Sequence, residues 1–158
     1  MMTRYTLFAG LAAAAVAVLA AGCVEPRLTA PDNYIRLSEP GYWHADKVVS
    51  ADGVYIGVRP SRPAEGGNLD FWTTAVRNQL TGGMGYTLAD EGDVTSADGT
   101  KGRRMDFAVT LENTSLGYAV ALWVLDDRIT IAESGGPKDK FDADRAGIEA
   151  AFESVRLK

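Results

Sequence analysis

The chain has 158 residues, with 21 acidic and 16 basic side chains and a formal net charge of −5 at neutral pH. The basic residues are dispersed along the sequence, which argues against a nucleic-acid-binding surface, because such a surface needs clustered lysine and arginine. A single cysteine cannot form an internal disulfide, and one histidine is too few for a zinc site built from cysteine and histidine ligands.

The N-terminal segment has the pattern of a secretory signal. A start with one charge, Arg4, precedes an apolar run over residues 7–21, and then come Gly22 and Cys23. The run is about 15 residues, shorter than the roughly 20 that span a bilayer. The ending Ala20-Ala21-Gly22-Cys23 resembles the lipobox of bacterial lipoproteins. The resemblance implies cleavage before Cys23 and lipidation of its sulfur and new amino group. The alternative is an ordinary signal peptide cut nearby, which leaves a free thiol.

Removal of residues 1–22 as a signal peptide leaves 158 − 22 = 136 residues, enough for one domain with its own core. Residues 23–32 hold the predicted lipidated cysteine and two prolines, and they are interpreted as a short tether; residues 33–158 form the predicted domain. Several acyl chains give stable anchoring, so we expect a lipid-anchored protein of the bacterial cell envelope that faces the periplasm. In the lipoprotein family an aspartate after the cysteine implies inner-membrane retention, and Val24 therefore favours the outer membrane.

The first half of the domain predicts short strands and one helix. Residues 34–37 indicate a short strand, and residues 43–50 and 54–60 indicate two strands joined by an Asp-Gly turn. Asn68 is a suitable N-cap for a helix that Gly82-Gly83 ends. The apolar stripe of this helix consists of Leu69, Trp72, Val76 and Leu80.

The second half predicts a meander of strands and a closing helix. Strands are expected at residues 86–95, 105–111, 118–125 and 128–132, and Ser134-Gly135-Gly136-Pro137 is expected to end the last of them. The final helix begins at position 141 or 142 and buries Ile148, Phe152 and Val155. The whole pattern predicts an α+β fold, an antiparallel sheet meander covered by two main helices.

This order of elements is similar to the PsbP-like fold, which DcrB-type bacterial lipoproteins share. Two segments carry the resemblance: the strand at 118–125 followed by a tight turn, and the closing Ser154-Val155-Arg156-Leu157 after a helix. The resemblance covers residues 33–158. It implies a non-enzymatic accessory or binding role, and it transfers no functional residue.

No catalytic or metal-binding pattern is recognisable. A Ser-His-Asp hydrolase needs an activated serine beside His44, and no Gly-x-Ser-x-Gly segment exists. We therefore interpret His44 as a structural or surface residue and expect neither an enzyme nor a cofactor. The acids at 90–93 and 139–144 do not match the twelve-residue calcium loop, so no metal is expected.

Aromatic residues give the candidate binding site. Tyr42 and Trp43 follow Pro40-Gly41, and Tyr55 points away from the apolar face of its strand. Exposed aromatic side chains mark protein or ligand contacts, although packing over the sheet edge is the alternative. We expect Tyr42, Trp43 and Tyr55 to bind a protein partner in the envelope, with membrane attachment through Cys23. The alternative function is a periplasmic carrier or sensor of a small apolar ligand.

Overall fold

The computed structural model describes residues 25–39, 43–63, 66–126 and 128–158. The elements of these ranges are β1 (Tyr34–Arg36), β2 (Asp46–Ser50), β3 (Tyr55–Ser61), α1 (Leu69–Asn78), a π-helical turn (Gln79–Gly83), β4 (Thr87–Thr95), β5 (Lys101–Leu111), β6 (Thr114–Leu125), β7 (Arg128–Pro137), α2 (Lys138–Ala143) and α3 (Arg145–Glu153). None of the helices in these ranges is long and apolar enough to cross a membrane.

The seven strands form one antiparallel sheet in the order β1-β2-β3-β7-β6-β5-β4. The chain first builds β1 to β3, crosses through α1 to the far edge, and returns through the meander β4 to β7. The last strand therefore pairs with β3 and joins the two halves. This arrangement confirms the α+β class and the antiparallel meander predicted from the sequence.

Strand alternation gives the sheet two apolar faces. One face carries Ile56, Val58 and Trp123, and it packs against Ile148 and Phe152 of α3. We call it the α3 face. The opposite face, which we call the α1 face, packs against α1 and the residues that follow it. Its buried cluster consists of Leu80, Met105, Phe107, Val120, Leu122 and Ile129.

The prediction that Ser134-Gly135-Gly136-Pro137 ends the seventh strand was wrong, because β7 continues through Pro137. Gly135 and Gly136 pair with Tyr118 and Gly117 of β6. A Cβ atom at Gly136 would lie 2.9 Å from the Cα of Val54. The glycines allow close approach of the backbones while their amide groups still take part in the ladder.

The described residues form three α-helices where two main helices were expected. The closing helix is divided into α2 and α3 at Asp144, whose φ and ψ of −103° and 15° are not helical. Val155 lies beyond the end of α3 but is fully buried. Trp72, expected in the core, is only partly buried against the α1-face cluster, whereas Phe152 has no exposed surface. The predicted stripe of α1 thus lies partly at the margin of the core.

The segment interpreted as a tether packs on the domain from Pro26 onward. Pro26 is fully buried and Leu28 is almost so. The backbone N–H of Leu28 donates to the Asp46 carboxylate at 3.2 Å, and Arg27 pairs with Arg156 in an isolated antiparallel bridge. The folded part of the chain therefore starts within the range 23–32, and Cys23 is close to it in sequence.

Replacement of Phe152 by alanine is expected to lower the free energy of unfolding by about 3–5 kcal/mol, because it leaves a cavity between α3 and the sheet. Phe71→Ala provides the matched control. The Phe71 ring on α1 is 58% exposed, and its loss should change the stability by less than about 0.5 kcal/mol. Urea denaturation measures both values. Equal losses of stability in the two variants would contradict the difference in burial between the Phe152 and Phe71 rings.

Candidate functional site

The α1 helix covers only part of its face of the sheet. It packs mainly on β5 and β6, and on the outer strands this face carries exposed Ile35 and half-buried Val49 and Tyr55. In this part Ile35, Val49 and Tyr55 lie side by side in one cross-strand row, and the row continues through Gly135 to Tyr118. Ile35 is 73% exposed. We call the surface formed by Ile35, Leu37, Val49 and Tyr55 the open face.

A buried hydrogen-bonded cluster lies beside the open face. Glu133 of β7 is almost enclosed, and both of its carboxylate oxygens have partners. Nε2 of His44 lies 2.7 Å from Oε1, and the hydroxyl of Tyr118 donates to Oε2 at 2.8 Å. The His44 side chain is only 9% exposed. These two contacts offset the cost of removing the carboxylate from water.

Two glycines make room for this arrangement. Gly57 pairs with Glu133, and a Cβ atom at this position would lie 2.3 Å from Cδ2 of His44. The imidazole therefore rests directly on the backbone of β3. Gly135 lies between Tyr55 and Tyr118, and a Cβ atom there would be 3.1 Å from the first ring and 3.4 Å from the second. Any side chain at Gly57 would displace His44 from Glu133.

A pocket of about 350 Å³ opens next to the cluster. Its aromatic walls are Tyr55, Tyr86 and Tyr118, and the backbone of Gly135 contributes to the lining. The rings of Tyr86 and Tyr118 meet edge to face with centroids 5.4 Å apart. The other lining residues are Gly53, Val109, Leu116, Gly117, Gly136 and Pro137. The lining is mainly apolar, and the phenol hydroxyls are its polar side-chain groups.

The surroundings of Tyr55 and Tyr118 favour the protonated form of both phenols. Burial raises the pKa of Tyr118 well above its usual range, and the negative charge of Glu133, together with its hydrogen bond to the phenol, raises this pKa further. Burial and the same carboxylate also raise the pKa of Tyr55. The Nζ atom of Lys47 lies 4.6 Å from the centroid of the Tyr55 ring, within range of a cation–π contact. The pocket thus offers neutral aromatic surface.

Two of the four site residues predicted from the sequence, Trp43 and Tyr55, lie in the described part of the structure. Tyr55 faces away from the α3-face core, as expected, and its ring lies 6.2 Å from that of His44. Trp43 is 71% exposed and directly precedes His44. Tyr42 and Cys23 lie outside the described residues. The roles predicted for all four remain predictions.

Sequence reasoning missed most of the cluster. His44 was interpreted as structural or at the surface, and its partner Glu133 is 89 positions away. The one local sign of a special role for Glu133 is that it lies in a strand between two residues that are buried, Ala132 and Ser134. Tyr118 stands at the start of an apolar run and was treated as part of a central strand. Exposed Ile35 and Leu37 were also missed, because a strand of three residues has too few positions to show alternation.

The geometry separates the groups that a hydrolase would need together. Ser134 is fully buried and follows Glu133 in β7, so its side chain lies on the α3 face, away from His44. Asp106 is a buried carboxyl group elsewhere in the sheet, and burial raises its pKa despite nearby Arg104 and Arg145. Asp106 pairs with Ala119 of the α3-face core, so it too lies across the sheet from Glu133. Among the described residues, no group of three or more His, Cys, Asp or Glu side chains could hold a metal ion.

No protein-family model matches the sequence, and no curated protein matches it significantly. Solved structures do match. The crystal structure of LpqN, a protein involved in cell envelope biogenesis of Mycobacterium tuberculosis, has a TM-score of 0.70 and 13% identity, over 82% of this chain and 81% of that chain. The solution structure of the cyanobacterial PsbP (CyanoP) from Synechocystis has a TM-score of 0.57 and 10% identity, over 88% of this chain and 96% of that chain. The fold is PsbP-like.

A further structure with this fold is the Ran-binding protein Mog1p of Saccharomyces cerevisiae, with a TM-score of 0.54 and 16% identity over 85% of this chain and 83% of that chain. At these identities the likeness is one of fold alone. The descriptions of the three proteins name no enzymatic activity. The PsbP-like architecture predicted from the strand order is thus confirmed, and the function must be argued from the site.

Replacement of Gly57 by alanine is expected to push the His44 ring away from Glu133 and to lower the free energy of unfolding by about 1–3 kcal/mol. Gly92→Ala is the matched control, because Gly92 also lies in a strand but has open space where a Cβ atom would be. Urea denaturation gives the stabilities, and the imidazole signals of His44 in NMR spectra report its contact. Unchanged imidazole signals in Gly57→Ala would show that the ring does not rest on this glycine.

Proposed function

We propose that this protein is a membrane-anchored lipoprotein that acts as a non-catalytic binding or accessory module of the bacterial cell envelope. The observation that carries the binding role is the open face beside the tyrosine-lined pocket. It exposes Ile35 and Leu37 next to a cluster whose side chains are held by burial and hydrogen bonds, and exposed Trp43 directly precedes His44 of that cluster. Large apolar and aromatic side chains grouped on one surface are typical of protein contact sites.

The position of the open face supports a protein partner. Val49 joins Ile35 and Tyr55 through direct cross-strand pairing, and the N–H of Leu37 donates to the carbonyl of Lys47 in the neighbouring row. The exposed side chains are therefore neighbours on one sheet surface and not scattered over the molecule. The shared fold with LpqN, a protein of cell envelope biogenesis, supports an envelope role.

The anchoring part of the proposal rests on the lipobox-like ending at Cys23. Lipidation gives a single exported cysteine a role, and several acyl chains hold a protein on its membrane. Val24 favours the outer membrane, with the domain facing the periplasm.

A second candidate function is a carrier or sensor of a small apolar ligand. The pocket supports it, because about 350 Å³ falls at the lower end of the roughly 300–1,000 Å³ of ligand sites. Three tyrosine rings and a glycine floor would suit a flat apolar group. The open face favours the protein-binding role, because a small ligand in the pocket would leave Ile35 and Trp43 uncovered.

Cys23→Ser is expected to move the protein from the membrane to the soluble periplasmic fraction, because the substitution removes the acceptor sulfur. Mass spectrometry of the mature N-terminus tests the lipidation of Cys23 independently of fractionation. A diacylated or triacylated Cys23 supports the anchor. An unmodified Cys23, or cleavage at another position, contradicts it.

Joint replacement of Tyr42, Trp43 and Tyr55 by alanine is expected to abolish most cross-linking of the partner in gently solubilised membranes, while the melting temperature changes little. Phe71→Ala with Met84→Ala is the control, because it removes two exposed apolar side chains from another part of the surface.

Equal loss in the control would contradict a specific role for the open face. Unfolding of the triple variant would show that its rings belong to the core. A small molecule found on the purified protein by native mass spectrometry, and lost from the triple variant, would favour the carrier function.

A further inference from the structure

Two arginines lie side by side where the described chain enters the domain. Arg27 and Arg156 face each other in an isolated antiparallel bridge, and the N–H of Arg156 donates to the carbonyl of Arg27 at 3.0 Å. Directly opposed residues hold their Cβ atoms roughly 4.5–5.5 Å apart on one side of the pair. Both arginines are exposed, whereas their neighbours Leu28 and Leu157 are buried. The two guanidinium groups therefore extend together into solvent.

The positive charge of this pair is not neutralised by the surrounding domain. Within the described ranges, neither guanidinium forms an ion pair. Lys158 is also exposed, two residues after Arg156. The carboxylate of Asp98, which lies against the terminal segment, accepts hydrogen bonds from the N–H groups of Leu157 and Lys158 and from the Ser96 hydroxyl. Like charges held directly opposite destabilise a strand pair, so the arrangement favours an external anion.

The position of the pair indicates the source of that anion. Only Val24 and Glu25 separate Cys23 from buried Pro26. Three peptide units extend at most about 11 Å, which is close to the screening length of about 8–10 Å in physiological salt. A domain anchored through Cys23 would therefore hold Arg27 within range of the headgroups. Glu25 is the one acid in this short stretch.

We propose that Arg27 and Arg156, with Lys158 beside them, bind the phosphates of anionic phospholipids in the membrane that carries the anchor. The inference rests on the proposed lipoprotein function and adds a defined contact to it. Guanidinium groups match phosphate oxygens in a forked, two-bond geometry.

The net charge of the domain gives this contact an orienting role. The chain without residues 1–22 has 15 basic and 21 acidic side chains, because Arg4 is removed, and its formal charge is 15 − 21 = −6. Such a domain is repelled by an anionic surface as a whole. The arginine pair is attracted to the membrane locally, so the domain contacts the membrane with the end that carries Arg27 and Arg156.

Vesicle flotation tests the contact without help from acyl chains. The chain without residues 1–22, carrying Cys23→Ser, is mixed at low salt with vesicles of equal parts phosphatidylglycerol and phosphatidylcholine, or of phosphatidylcholine alone. We expect binding to the anionic vesicles only, and its loss on addition of salt. Adding Arg27→Ala and Arg156→Ala should weaken the partition coefficient roughly 25-fold, from the usual contribution of two basic residues near a membrane.

Three comparisons make the result specific. Lys138→Ala with Lys140→Ala makes the same change in net charge on α2 and should leave binding unchanged. Arg27→Lys with Arg156→Lys keeps the charge and should retain most of the binding. The single variant Arg27→Gln, with one exposed side chain changed, provides a folded test protein if the double alanine variant melts early.

Absence of flotation with the anionic vesicles, or equal loss in the Lys138/Lys140 control, would overturn the proposal. Complete displacement by low concentrations of inorganic phosphate would also overturn it, because the site would then be one for free phosphate. The lipid anchor is tested separately by the mass of the mature N-terminus. Either proposal can therefore fail while the other stands.

Discussion

The pairing of β3 with β7 is the interaction on which the rest of the structure depends. It runs over seven residue pairs, from Tyr55 with Gly135 to Ser61 with Ile129, and it is the junction between the strands before α1 and the meander after it. Its register fixes which side chains meet. Val58 and Ala132 enter the α3-face core together, while Gly57 and Glu133 face the other side. A shift of one residue would bury Glu133 in the apolar core without partners, at a high cost in free energy.

Glu133 in turn constrains the surface around it. A carboxylate with so little exposure needs donors, and His44 and Tyr118 supply one to each oxygen. These donors reach it only because Gly57 leaves space for the imidazole and Gly135 leaves space for the tyrosine rings. Gly135 also lines the pocket. The packing of the tyrosine rings against Gly135 therefore contributes to both the cluster and the pocket. The hydrogen bonds of the cluster hold Tyr118 in place, and this fixes one wall of the pocket.

Much of the fold was predictable because it depends on local periodicity. Alternation of apolar residues identified the strand around Phe107, and the spacing of Ile148 and Phe152 identified the closing helix. The extension of β7 was not predictable, because Gly135 and Gly136 break strands in most contexts and are needed here by contacts with Tyr55 and Val54. The His44–Glu133 contact joins residues far apart in sequence, and no local pattern encodes it. Among the residues of the open face, the sequence pointed only to Tyr55, since the exposure of Ile35 depends on how far α1 covers the sheet.

The two faces of the sheet also separate acidic groups from each other. Asp106 and Glu133 lie on opposite faces, so these two carboxyl groups do not meet at one site. The N-terminal segment and the open face likewise lie on different sides of the sheet. Leu28 belongs to the α3-face core, and its N–H donates to Asp46, which pairs with Val58 of the same face. Ile35, Val49 and Tyr55 form a row on the opposite face. The entry of the chain into the domain therefore leaves the open face uncovered, because the packing of residues 26–28 takes place across the sheet from it.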